Sequence, residues 1–230
     1  MSIVYFVTSS YINSGAKKIV VFSSMAVYGN QKPPFEENLE PRPEDIYGVS
    51  KAAMESATKI LSDVYGFKYT ILRPHNVYGQ RQNMSDPYRN VIAIFMNCIL
   101  RNKPFYIYGD GEQKRAFSYI DDQTPCIVKA GFSNKVNGET INIGPVKEIT
   151  INEVAKIVLK VSSSRFKPVY MPARPREVKN AWCTNGKAVK FLGYKDNVNL
   201  EDGIKKMWTW ARSAGPKSPK YVDEFELISE

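Results

Sequence analysis

Cysteine is scarce in this 230-residue chain: Cys98, Cys126 and Cys183 lie far apart and are odd in number. That argues against a disulfide framework and against a cysteine-based zinc site, so no metal is expected and a reducing compartment is. No apolar run approaches the roughly 18 residues that a membrane span requires, and the opening segment Ser2–Val7 carries no basic leader. Cytoplasmic location without membrane association is the expectation. Histidine occurs once, at His75. Internal repeats and low-complexity tracts are missing. So is any G-x-x-G-x-x-G turn, the pattern whose backbone approaches a pyrophosphate at a helix N-terminus; the first glycine, Gly15, stands alone.

What is present is an ordinary globular composition, 43% hydrophobic and 24% charged, with 32 Lys and Arg against 23 Asp and Glu for a net charge of +9. The surplus suits an anionic partner, but the basic residues are scattered as in Lys17-Lys18 and Lys205-Lys206, without a long basic arm. A solvated basic surface is expected, and nucleic acid is not. Residues 3–14 read as a helix ending at Gly15. The β-branched run Lys18–Ser24 reads as a strand buried on both faces, and Tyr69–Arg73 as another, stopped by Pro74. Between them a proline-rich loop leads into a helix that starts near Tyr47 and ends near Gly66. Helix, strand, helix, strand is the rhythm of a doubly wound parallel α/β sheet. Further on, a helix over Val91–Leu100, strands at Phe105–Tyr108, Thr140–Gly144 and Val169–Met171, a capping box of Thr150 with Glu153, and a helix after Asn199 follow. The tail from Gly215, rich in Pro, Lys and Glu, is expected to be poorly ordered.

The most informative stretch is Ile46–Lys51. At about 100° per residue, Tyr47, Lys51, Met54, Ala57, Leu61 and Val64 share one helix face, the last four as an apolar stripe expected to meet a core or an interface. Positions i and i+4 are neighbours, so Lys51 can sit beside the Tyr47 hydroxyl, and a cation there stabilises a phenolate able to take a proton from an alcohol. Taken alone the pattern is weak, and a snorkelling lysine beside an ordinary amphipathic core tyrosine is the better reading. Sites in doubly wound sheets lie at the carboxyl ends of strands; here those ends are Ser23-Ser24 and Arg73-Pro74-His75-Asn76. A strand-end serine can hold the oxygen that Tyr47 deprotonates, or satisfy its own turn.

Ser24, Tyr47 and Lys51, in that order, resemble the catalytic set of the short-chain dehydrogenase/reductases. Four further stretches narrow the resemblance to the extended branch of NAD-dependent nucleotide-sugar epimerases and dehydratases: Ser23–Gly29, Leu72–Gly79, Tyr108-Gly109-Asp110-Gly111 with Arg115, and Asn142-Ile143-Gly144. It covers roughly residues 1–212 in consistent order and is strongest toward UDP-glucose 4-epimerases. Met25 and Ala26 stand where dehydratases of the branch carry an Asp-Glu pair, and neither can transfer a proton. The resemblance implies a partial Rossmann-like sheet with a smaller α/β substrate domain: residues 1–80 from the NAD-binding domain, 81–214 mostly substrate domain with 120–145 returning to the sheet, and 215–230 a tail. It implies Tyr47 as the base toward a sugar 4-hydroxyl, Ser24 holding that oxygen, and Lys51 holding the nicotinamide ribose. Ser23, Arg73, Pro74 and His75 would join Tyr47 and Lys51 on the NAD side, His75 by packing. Asn76, Asn90, Val91, Tyr106, Tyr108, Arg115 and Arg174 would take the UDP-sugar, with Arg176 a rival to Arg174. Homodimerisation through the Tyr47 helix is also implied.

The missing glycine-rich turn departs from the branch, which opens with a strand and that turn. The resemblance therefore implies that the first strands and the pyrophosphate site are not in this sequence. A fragment of a longer enzyme is expected, with a half-protein completed by another chain or a degenerate protein that no longer turns over as alternatives. In function, the alternative is a non-catalytic nucleotide-sugar-binding or subunit-interaction protein.

Overall fold

A computed structural model of the chain describes residues 15–86, 90–175 and 177–218; the helix expected over residues 3–14 lies outside them, as do Arg176 and most of the tail. In chain order the strands are β1 (Lys18–Phe22), β2 (Lys68–Pro74), β3 (Val77–Tyr78), β4 (Tyr106–Tyr108), β5 (Lys114–Arg115), β6 (Ser118–Tyr119), β7 (Thr140–Ile143), β8 (Ile149–Thr150), β9 (Val169–Met171) and β10 (Asn180–Ala181). The helices are α1 (Ile46–Tyr65), α2 (Val91–Leu100), α3 (Ile120–Phe132), α4 (Ile151–Ser162) and α5 (Leu200–Ala214). A 3-10 turn, Met25–Tyr28, follows β1.

β1, β2 and β7 form a parallel sheet in that order, Val21 opposite Ile71 and Ile71 opposite Thr140. The chain is α/β, built on this sheet, with α1 joining β1 to β2 and α3 packed on both strands. β2, between β1 and β7, is buried from Thr70 through Arg73, as expected of a central parallel strand, although only Ile71 and Leu72 of that stretch are apolar. A second core lies around α2, α4 and α5, where Phe95, Phe105, Ile107, Val154, Val158, Ile204 and Met207 are each at most 1% exposed. The capping box of α4 forms as expected: Glu153 N–H donates to Thr150 Oγ1 at 3.1 Å, and Thr150 N–H to Glu153 Oε2 at 2.9 Å.

Where the chain leaves α5, buried Asn97 donates to the Lys217 carbonyl and accepts from its N–H, both at 2.9 Å; residues 219–230 of the tail lie outside the described residues. The expectation for α1 is corrected: its buried face is not the apolar stripe. Gly48, Glu55 and Thr58 are buried, Met54, Ala57 and Leu61 half-buried, and Val64 is 67% exposed. The helix is turned so that a carboxylate, not the stripe, faces the sheet, and Glu55 meets a charge partner there in Arg73.

All three cysteines are free, with Cys126 and Cys183 buried and Cys98 partly so. His75 is completely buried, and neither ring nitrogen finds a hydrogen-bond partner among the described residues. Burial pulls its pKa down to about 4, against a smaller opposing pull from the Pro145 backbone. The folded chain thus holds His75 neutral while the unfolded chain protonates it near 6.5. Stability from this source is intact above pH 6.5 and falls as the pH drops toward 4, by roughly 3 kcal/mol. Urea unfolding should show that loss, and His75→Gln should be flatter than the parent over the same window, with other titrations common to both.

Candidate active site

β1 ends at Phe22, and Ser24 then caps the 3-10 turn, its Oγ accepting from Ala26 N–H at 3.2 Å. The local role foreseen for a strand-end serine is therefore filled, and the hydroxyl proton is left to donate. Asp45 caps α1 through Gly48 N–H at 2.6 Å, which starts the helix one residue before Tyr47. A Cβ on Gly48 would lie 2.6 Å from the Ala26 carbonyl oxygen and 2.8 Å from Pro43 Cβ. Only a glycine lets the helix come this close, so the turn carrying Tyr47 rests on the turn carrying Ser24.

Lys51 sits one turn further along. Its ammonium donates to the Phe22 carbonyl at 2.6 Å and lies 5.6 Å from the Tyr47 ring centroid. Strand end, lysine, tyrosine and serine are thereby gathered at the carboxyl end of β1. One of the three ammonium protons is used on Phe22, leaving two for a ligand.

The strand-end residues behave differently from one another. Ser23 is buried and donates to Glu55. Arg73, 2% exposed, gives Nε and Nη2 to Glu55 at 2.8 and 2.6 Å and Nη1 to Tyr28 Oη at 2.7 Å. Burial opposes its charge, but the Glu55 and Tyr28 contacts outweigh it, so its pKa lies above the usual arginine value. Pro74 ends β2, half-buried. The His75 ring lies against Gly144, where an added Cβ would come 2.6 Å from Nδ1. The side chains of Arg73 and His75 are thus committed to the interior.

Asn76, with a φ of 26°, donates to the Ala116 carbonyl at 2.8 Å and lies 3.6 Å from Met25 sulfur. It therefore links the Ser24 turn to the segment after Arg115. Arg115 itself donates Nη1 to the carbonyls of Lys114 and Lys179 at 2.8 and 3.0 Å, and Nη2 to that of Val178. Burial draws its pKa down, with Glu177 opposing. Arg174, which is exposed, stacks on Tyr108 with its guanidinium carbon 3.7 Å from the ring centroid. Tyr106, on the same short strand, is 50% exposed. Asn90 is exposed in a left-handed conformation and makes no side-chain cap on α2, which Val91 opens.

Sequence reasoning missed Glu55, Tyr28 and Asn142. The signal was present in part: Glu55 continues the four-residue spacing of Tyr47 and Lys51, a charge on an otherwise inward face.

The family model described as NAD dependent epimerase/dehydratase family matches residues 4–144. The chain belongs to that family. Among its relatives is the UDP-glucuronate 4-epimerase of Thermodesulfobacterium geofontis, 31% identical over 202 residues, a span covering 86% of this chain and 60% of that protein. The Thermotoga maritima UDP-glucose 4-epimerase, solved with UDP-glucose, superposes with a TM-score of 0.83 at 32% identity, covering 92% of this chain and 68% of that one. The Thermus thermophilus UDP-glucose 4-epimerase, solved with NAD, superposes at 0.82 with 28% identity and the same coverage of this chain. This epimerase-family chain therefore spans about three fifths of that curated relative, and the family's cofactor is NAD. Among its described residues no helix is long and apolar enough to cross a membrane.

The donor set fits one end of NAD. Lys51 with spare protons and half-buried Tyr47 suit ribose hydroxyls at the end of β1. The pyrophosphate end finds no glycine-rich turn anywhere in this sequence.

Proposed function

We propose that the chain carries the catalytic and sugar-nucleotide-binding part of a UDP-hexose 4-epimerase working through a 4-keto sugar. The observation that supports this best is the packing of the Tyr47–Lys51 turn onto the Ser24 turn through Gly48, with Lys51 tied to the end of β1. Tyr47 takes the proton from the sugar 4-hydroxyl, and Ser24, its oxygen already anchored on Ala26 N–H, donates to that same sugar oxygen. Lys51 holds the nicotinamide ribose and keeps positive charge beside the phenol. When bound, NAD supplies the hydride acceptor and donor at C4. Arg174, already stacked on Tyr108, offers a planar fork to the diphosphate, and exposed Tyr106 an aromatic face to the uracil. Arg115 keeps two N–H groups beyond its three backbone bonds for the same diphosphate. Asn76, Asn90 and Val91 complete the substrate side. A cytoplasmic homodimer using α1, whose Val49, Ile60 and Val64 are more than half exposed, belongs to the same reading.

Calorimetric titration of the chain with NAD and, separately, with UDP tests it, followed by an assay of UDP-glucose to UDP-galactose conversion. Binding of both with conversion supports the proposal. UDP binding without NAD favours a nucleotide-sugar-binding module, and binding of neither overturns the proposal for this chain.

A further inference from the structure

Glu55 and Arg73, each 2% exposed, sit beneath the candidate site rather than in it. One carboxylate accepts from Ser23 at the end of β1 and from two guanidinium nitrogens at the end of β2. Arg73 also donates to the Tyr28 hydroxyl, which donates to Asn142 Oδ1 on β7 at 2.8 Å. Tyr28 closes the 3-10 turn that Ser24 opens. A single residue of α1 is thereby joined to all three strands of the sheet and to the serine turn. Two buried charges are a poor source of stability, since an apolar pair of similar size serves as well or better. Their advantage is directional: apolar contacts let a helix roll, whereas hydrogen bonds fix its angle about its own axis. Glu55 stands one turn beyond Lys51 and two beyond Tyr47, about 80° around the helix from Tyr47.

We propose that Glu55 is a positioning residue that sets the rotation and axial register of α1, so that Tyr47 and Ser24 address the same sugar oxygen. The proposal rests on the epimerase reading above for its consequence in turnover, but not for its consequence in the helix. The test is the double variant Glu55→Leu/Arg73→Met in the full chain, which removes both charges together and avoids a stranded one. Its melting temperature is expected to stay near that of the parent. The kcat for UDP-sugar conversion is expected to fall about 100-fold, the scale of a 1 Å misplacement, with KM changed less than about two-fold because the UDP-binding groups are untouched. Amide hydrogen exchange over residues 46–51 is expected to quicken while that of the β2–β7 pairing does not.

Turnover at the parent's level with unchanged exchange in the double variant would mean that Glu55 merely balances Arg73, and would overturn the proposal. If the parent chain does not turn over UDP-sugar, the functional reading fails by itself; exchange at residues 46–51 then still decides, unchanged rates counting against positioning. Should the double variant not fold, Ser23→Ala/Tyr28→Phe cuts the bonds to β1 and the serine turn but keeps the ion pair. The same two measurements then apply, with the same outcomes for and against.

Discussion

Tyr47→Phe is expected to lower kcat for UDP-sugar epimerisation by about 10³-fold, the middle of the range that a well-placed general acid–base supplies. The substitution removes one oxygen and leaves the ring, so the half-buried contact surface of α1 and the seat of Lys51 over that ring at 5.6 Å are kept. UDP affinity by calorimetry should be unchanged, because the side chains proposed to hold the nucleotide, Tyr106, Tyr108 and Arg174, lie on β4 and the segment after β9. Loss of kcat with intact binding is the signature of a group acting in the reaction rather than in substrate capture. A kcat within a few-fold of the parent would remove Tyr47 as the base and, with it, the purpose assigned to Lys51 and Gly48.

Arg73→Met should lower the free energy of unfolding by about 3–5 kcal/mol, the usual cost of breaking one side of a buried ion pair. The remaining Glu55 carboxylate would keep only the Ser23 hydroxyl, in surroundings that admit almost no water. Arg174→Met offers the contrast: it is exposed and stacks on the Tyr108 ring, so its removal should cost less than about 1 kcal/mol. Urea denaturation of the two variants side by side measures the difference. A loss below about 1 kcal/mol for Arg73→Met would show that water or a rearranged side chain reaches Glu55.

The elements that sequence alone made legible are those whose signal is local. The β-branched runs of β1 and β2, the Thr150 capping box and the Ile204–Met207–Ala211 face of α5 each declare themselves within one turn or strand, and the structure places them there. β1, however, is not buried on both faces as expected, since it lies at the edge of the described sheet with only Val21 buried and Phe22 45% exposed. The grouping of Ser24, Tyr47 and Lys51 comes from the resemblance of several separated stretches and not from the Tyr47–Lys51 spacing, which alone is a weak pattern. The orientation of α1 was not legible. An apolar stripe predicts the inward face only when the helix meets an apolar surface, and here the surface holds Arg73, which selects Glu55 instead. The resemblance implies Arg73 on the cofactor side, whereas its guanidinium is turned inward onto Glu55 and Tyr28. Whether a guanidinium there turns outward or inward depends on a carboxylate 18 residues away in sequence, and no local pattern encodes that. Arg115 shows the same limit: the carbonyls of Val178 and Lys179 that engage it are 63 and 64 positions distant.

The two buried thiols, Cys126 and Cys183, give the molecule a built-in clock. Burial raises the pKa of Cys183 and Cys126, and that of Cys98 as well, so the reactive thiolate is rare while the chain is closed. Cys183 lies in the cluster beneath the serine turn and Cys126 between α3 and the sheet. An alkylating reagent therefore reacts at each only as fast as that part of the structure opens. The two sites time separate events, breathing of the wall under the serine turn in one case and release of a whole helix from the sheet in the other.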